Sequence, residues 1–223
     1  MRVRERFPGI FESEDRRLMT RNLAPGVRVG DEDLLRFDGV EFRSWDPRRS
    51  KLAAMVAKGA RSVPFGPGSR VLYLGAANGA TASHVSDIVG AEGVVYAVEF
   101  SVRSFRDLVQ VAETRPNLLP ILGDAGRPDR YARIVGPVDA IFQDIAQRAQ
   151  GQLFLKNAAA FPARAGVLVV KARSVDVASD PRAVFEAVVR EVQGQGHKLL
   201  ERLELAPFER DHAALTFELA VAR

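Results

Sequence analysis

The side chains able to do chemistry in this sequence are few and of a narrow kind. There is no cysteine, and His84, His197 and His212 stand far apart, so thiol chemistry and disulfides are excluded and a zinc site is short of ligands. The informative residues instead follow apolar runs. Val71-Leu72-Tyr73-Leu74 leads into Gly75-Ala76-Ala77-Asn78-Gly79, a turn small enough for a ligand to approach the backbone, as a nucleotide does. Glu99, which closes the next run twenty residues beyond Gly79, is an acid able to accept both hydroxyls of a ribose. Asp124, in Gly123-Asp124-Ala125, either accepts from an adenine amino group or caps a turn ahead of Pro128. Asp144, in Gln143-Asp144-Ile145-Ala146-Gln147, and Lys171, in Lys171-Ala172-Arg173, would lie side by side if their strands are neighbours. That is an arrangement for moving a proton, or simply an exposed ion pair of little value to stability.

Those positions make sense only if a sheet lines them up. From Ser50 onward the pattern alternates. A helix capped by Ser50 comes first, then strand Arg70–Leu74, helix Ala80–Val89, strand Val94–Val98 and helix Val102–Thr114. Strands Leu118–Leu122 and Val138–Phe142, helix Gln147–Phe161, strand Gly166–Val170 and helix Pro181–Gln195 follow. Alternation of this kind predicts an α/β fold, a mostly parallel sheet covered by helices on both faces, with ligands beyond the carboxyl ends of the strands. Two final runs, His197–Leu205 and Ala214–Ala220, have no helix between them and read as an antiparallel pair, for seven strands in all. Residues 1–50 differ: short apolar runs are broken by Pro8-Gly9, Pro25-Gly26, Gly30-Asp31 and Asp38-Gly39, the mark of short strands and tight turns. The division expected is a small β-rich module over 1–50 and the main domain over 51–223.

A chain of 223 residues, 47% hydrophobic, can bury one domain's core with a small appendage. It has no apolar run of the ~18–20 residues needed to span a membrane, and its first residues lack a signal-peptide pattern, so the expectation is a cytoplasmic protein with no membrane partner. Of its 32 basic residues 27 are arginine, and two stretches, Pro47–Ser86 and Ile145–Val175, carry six and five basic residues with no acid. Folded together they would make a positive surface suited to a polyanion; the plainer alternative is solvated faces of a heat-adapted protein, which absent cysteine and abundant arginine also fit.

Taken together, the segments Phe42-Arg43-Ser44-Trp45-Asp46-Pro47, Arg49-Ser50-Lys51-Leu52-Ala53-Ala54, Val71 through Gly79, Val95-Tyr96-Ala97-Val98-Glu99-Phe100-Ser101, Pro120 through Ala125, Asp144 through Gln147, Val170 through Ser174 and Glu209-Arg210-Asp211-His212-Ala213 resemble the archaeal fibrillarin family over nearly the whole chain. These are RNA 2′-O-methyltransferases of box C/D ribonucleoproteins. Tyr73 and Ala77 stand where most S-adenosylmethionine enzymes have an acid and a glycine, as in that family's own variant, and Ala80 departs from its usual threonine.

The resemblance implies a Rossmann-like class I S-adenosylmethionine-dependent methyltransferase fold. Gly75 with Ala80 and Thr81 would hold the methionine moiety. Glu99 would take the ribose, Phe100 the adenine face, Asp124 and Ala125 the adenine edge, and Asp144, Ile145, Ala146 and Gln147 would line the pocket beside the sulfonium. The family's catalytic set falls on Lys51, Asp144 and Lys171, with His212 as its fourth member; read from its position alone, His212 is a packing or capping residue, as are His84 and His197. Such an enzyme aligns donor carbon, sulfur and acceptor oxygen and removes a proton from a weakly acidic hydroxyl. A lysine does this only as a neutral amine, which a neighbouring ammonium favours by repulsion. Lys171 is the expected base and Lys51 the positioning group, or the reverse. The family's partners would be a box C/D guide RNA, the target rRNA or tRNA, a Nop-domain scaffold protein and a kink-turn-binding ribosomal-type protein. Two other readings suit parts of the pattern: a nicotinamide-dependent dehydrogenase, which would need a third glycine, and a non-catalytic RNA-binding component.

Overall fold

The computed structural model describes residues 3–220 and contains two sheets. The first is antiparallel, built from β1 (Val3–Phe7), β2 (Ile10–Ser13), β3 (Leu18–Arg21), β4 (Leu34–Phe37) and β5 (Val40–Ser44) in the order β1-β2-β3-β5-β4. Two hairpins turn at predicted pairs, β1–β2 at Pro8-Gly9 and β4–β5 at Asp38-Gly39, both of the latter at positive φ, as a two-residue turn matching strand twist requires; the β2–β3 turn over 14–17 lies outside the predicted pairs.

The second sheet is larger. Helix α1 (Lys51–Ala57) leads to β6 (Arg70–Leu74), α2 (Ala80–Val89), β7 (Val94–Glu99), α3 (Val102–Ala112), β8 (Leu118–Leu122), β9 (Ala140–Gln143) and α4 (Gln150–Ala160). Strand β10 (Ala165–Lys171), the single turn α5 (Ala172–Val175), α6 (Pro181–Gln193), β11 (Lys198–Glu204) and β12 (His212–Glu218) complete it. The order is β11-β12-β10-β9-β6-β7-β8, parallel from β10 to β8, with β12 inserted antiparallel between β10 and β11. The expected seven strands are therefore present, the last two as an antiparallel pair.

Alternation along each central strand feeds two cores. Val71, Tyr73, Val95, Ala97, Val167 and Val169 face one with α1 and α2; Leu72, Leu74, Tyr96, Val98, Leu168 and Val170 face the other with α4 and α6. Burial on both faces is why these strands read as unbroken apolar runs. Ile10, Leu18 and Trp45 join the first core, so the N-terminal sheet packs on the main one.

A buried polar network fastens that contact. Asp87 of α2 accepts from Thr20 Oγ1 (2.8 Å), Leu23 N (2.9 Å) and Arg43 Nη1 (2.9 Å), and pairs with Arg115. Arg43 also donates to Glu32 and to Ser83 Oγ. His84 bonds Thr20 through Nδ1 (2.8 Å) and stacks on Trp45 at 5.1 Å; burial first, then the charges of Arg43 and Arg115, hold its imidazole well below the usual histidine range. His84 and His197, whose Nδ1 accepts from Ala220 N, are thus structural, as their positions suggest. No helix among the described residues is long and apolar enough to cross a membrane.

Candidate active site

The carboxyl ends of β6, β7, β9 and β10 meet at one cleft of about 280 Å³. Its floor is the turn after β6. Gly75 sits at φ +81°, and a Cβ there would lie 2.4 Å from the Asp144 carbonyl oxygen: only glycine lets the turn pass so close to the β9 end. Ala77, also at positive φ, donates its N–H to Glu99 Oε2 (2.8 Å), and Ser101 N donates to Oε1 (2.7 Å). The Glu99 carboxylate is thereby aimed across the cleft mouth with lone pairs to spare. Beside it Phe100 leaves its ring 69% exposed, an aromatic face with no protein partner over it.

Gly75, Glu99, Phe100, Ala125, Asp144, Ile145, Ala146 and Gln147 all line this cleft, and so does Lys171. The remaining predicted cofactor residues are placed differently. Ala80 and Thr81, at the start of α2, line a separate cavity of about 350 Å³ with Glu32, Trp45, Asp46 and Ser50. The α2 N-terminus has no side-chain cap at Gly79. Asp124 turns inward on its own loop: Oδ1 accepts from Gly126 N (2.7 Å) and its carbonyl from Arg127 N (2.8 Å). Oδ1 thus makes the turn-capping bond, while Gly123 and Ala125 on either side line the cleft. Tyr73 lies beneath; burial, then the nearby Asp144, push its hydroxyl well above the usual phenol range. A neutral donor therefore occupies the strand position where an acid is usual.

Asp144, Lys51 and Lys171 come together at one edge of the cleft. Lys171 Nζ is 2.9 Å from Asp144 Oδ1, and Lys51 Nζ is 3.8 Å from Oδ2. Three separate elements deliver them: β10 ends on Lys171, α1 starts on Lys51 behind the Ser50 cap, and the loop after β9 carries Asp144, whose N–H donates to Leu74 O. Gln150, fully buried, clamps the backbone at Lys171, accepting from its N–H (2.9 Å) and donating to its carbonyl (3.2 Å). His212 is the register partner of Lys171 across β10 and β12. Its Nδ1 lies 2.6 Å from the Arg210 carbonyl; because a carbonyl only accepts, Nδ1 carries a proton there. Glu209, to which no role falls from the sequence, is also here, 3.5 Å from Lys51 and 3.9 Å from His212. The one sequence signal was its place three residues before His212.

The sheet order and the cleft at the strand ends define the Rossmann-like class I S-adenosylmethionine-dependent methyltransferase fold. Comparison with known proteins narrows this. The Fibrillarin family model matches residues 1–220. A "Fibrillarin-like rRNA/tRNA 2′-O-methyltransferase" of Methanopyrus kandleri is 49% identical over 211 residues, 94% of this chain and 91% of that one. The crystal structure of Aeropyrum pernix fibrillarin with natively bound S-adenosyl-L-methionine superposes with a TM-score of 0.89 at 41% identity, covering 97% of this chain and 98% of that one. The fibrillarin of a solved fibrillarin/Nop5p complex gives 0.88 at 39%, covering 97% and 100%. The chain belongs to the fibrillarin family, and the dehydrogenase and non-catalytic readings fall away.

Proposed function

We propose that this protein transfers the methyl group of S-adenosylmethionine to the ribose 2′-hydroxyl of rRNA and tRNA nucleotides, at positions chosen by a box C/D guide RNA. The observation carrying this reading is that Lys171 and Asp144, with Lys51 paired behind Asp144, open into a cleft with an acid and an exposed aromatic ring at its mouth. The cleft suits the cofactor: Glu99 offers free lone pairs for ribose hydroxyls, and Phe100 offers a flat face for adenine. When bound, the cofactor supplies a methyl group already activated on a sulfonium. The start of α2, where Asn78 Oδ1 accepts from Ala80 N at 3.3 Å and Thr81 N–H follows, suits a carboxylate, which assigns the methionine end to the Ala80–Thr81 side.

The protein's own part is alignment and proton removal. Lys171, the amine that shares the cleft wall, takes the 2′-hydroxyl proton in its neutral form. Lys51 holds the hydroxyl oxygen, Asp144 fixes both amines, and His212 borders the acceptor side. Alignment of two bound reactants contributes ~7–11 kcal/mol in favourable cases and a positioned base ~10²- to 10⁴-fold. Specificity comes from base pairing: a Nop-domain scaffold protein of the Nop5 kind, a kink-turn-binding ribosomal-type protein and the guide RNA present the target, and the protein alone binds RNA weakly and salt-dependently.

Transfer of labelled methyl to a target RNA, with and without matching guide and protein partners, tests this. Labelling should require the matched guide and vanish when the target nucleotide is 2′-deoxy. Selective labelling by the isolated protein, or labelling that survives the deoxy substitution, would overturn it.

A further inference from the structure

We infer that Glu209 is a positioning residue of the methyl transfer, acting through Lys51; the inference rests on the function proposed above. The carboxylate stands on the short loop ahead of β12, where its N–H donates to Leu205 O at 3.2 Å. Its two oxygens face different partners. Oε1 is 3.5 Å from Lys51 Nζ, and Oε2 is 3.9 Å from His212 Nδ1. With Asp144 it completes a ring of five side chains: Lys171 to Asp144, Asp144 to Lys51, Lys51 to Glu209, Glu209 to His212, and His212 opposite Lys171 in the sheet register.

The distances assign different work to the two lysines. Lys171 stands 2.9 Å from one carboxylate oxygen, an ion pair without hydrogen-bond geometry, since Asp144 Oδ1 is buried with no hydrogen-bond partner. Lys51 is suspended between two, at 3.8 and 3.5 Å, both longer than a formed hydrogen bond. An ammonium has three donors; with two leaning toward Asp144 and Glu209, the third is directed to a substrate oxygen. Two amines and two carboxylates share a site whose side chains are only 13–22% exposed. Partly buried charges of one sign without their counterpart are costly.

Neutralising Glu209 leaves Lys51 with Asp144 as its single anion. Lys51 then closes on a carboxylate that Lys171 already holds at 2.9 Å, the two amines compete, and neither keeps its place toward the hydroxyl. A loss of aim of this kind lowers the rate of transfer without weakening either substrate.

The test uses the complete ribonucleoprotein, with single-turnover methyl transfer as readout. Glu209→Gln should lower the rate constant about 10- to 100-fold, leave KM for cofactor and for RNA within about twofold, and barely move Tm. Glu209→Asp, which keeps the charge on a shorter arm, should recover part of the loss. In a Lys51→Ala background, adding Glu209→Gln should change the rate less than about twofold, because its route is already gone. Full activity in Glu209→Gln, or losses that multiply in the double variant, would overturn the inference while leaving the proposed function intact. A wild-type complex that puts no methyl on the 2′-hydroxyl would sink both.

Discussion

Replacing Gly75 by alanine strikes the cleft floor and the catalytic carboxylate together. The substitution has two costs. The first is backbone: φ of +81° lies in the left-handed region, which charges a residue with a Cβ ~1–2 kcal/mol. The second is contact, because the new Cβ would lie 2.4 Å from Asp144 O and 3.0 Å from Ile145 Cγ1. The Asp144 segment is pinned by its own N–H to Leu74 O, so the strain is met by displacement costing ~1–3 kcal/mol. Gly39→Ala separates the two costs, since Gly39 has φ +79° and nothing within 4 Å of its Cβ position. For a chain of this size each kcal/mol lowers Tm by ~2–4 °C. Gly39→Ala should therefore melt ~2–8 °C lower with full activity, and Gly75→Ala ~4–20 °C lower. Moving Asp144 by the order of an ångström should cost Gly75→Ala up to ~10²-fold in transfer rate. Thermal melts, calorimetric titration with S-adenosylmethionine and single-turnover transfer measure all three. A Gly75→Ala protein no less stable than Gly39→Ala, with cofactor affinity and rate within twofold of wild type, would refute the reasoning.

Other sites give further expectations. Phe100→Ala should weaken cofactor binding ~3- to 10-fold through lost stacking with little change in Tm, since the ring is 69% exposed; titration calorimetry reads it. Asp87→Ala removes the carboxylate paired with buried Arg115 and leaves buried Arg43 with Glu32 alone, and should lower unfolding free energy by ~3–5 kcal/mol, read by denaturant titration. His84 stays neutral in the fold, because burial holds it well below the ordinary value, but takes up a proton near pH 6.5 once unfolded. Its contribution to stability is thus full above pH 6.5 and is lost as pH falls below it, by up to ~1.4 kcal/mol per pH unit. His197, lowered by burial, adds in the same sense. Denaturant titrations from pH 7.5 to 5 should show a shallower pH dependence in His84→Gln than in wild type, and equal slopes would contradict the assignment.

The two-sided sheet was legible because its strands carry their burial in plain apolar runs: Arg70–Leu74 and Leu118–Leu122 form over the predicted residues, as does helix Ala80–Val89. The helix expected from Gln147 begins only at Gln150, because residues 144–147 are drawn out as cleft wall and the Gln147 carbonyl receives the Gln150 side chain. The single turn Ala172–Val175 is too short for any periodic signal. Strand-end acids and lysines could be located by the rule that ligands sit beyond strand ends, which brought Glu99, Asp144 and Lys171 to one cleft. Asp124 could not be assigned that way, since capping and ligand binding use the same residue at the same place. Glu209 and the Arg43–Asp87–Arg115 network were hidden for a common reason: their partners are distant in sequence and meet only through tertiary packing.

Because β12 slides in between two strands that precede it in the chain, the ring of reactive groups closes only when β12 has paired with β10 and β11. A nascent copy, however well its Lys51 and Asp144 are already folded, lacks the acid and the imidazole that finish the circle.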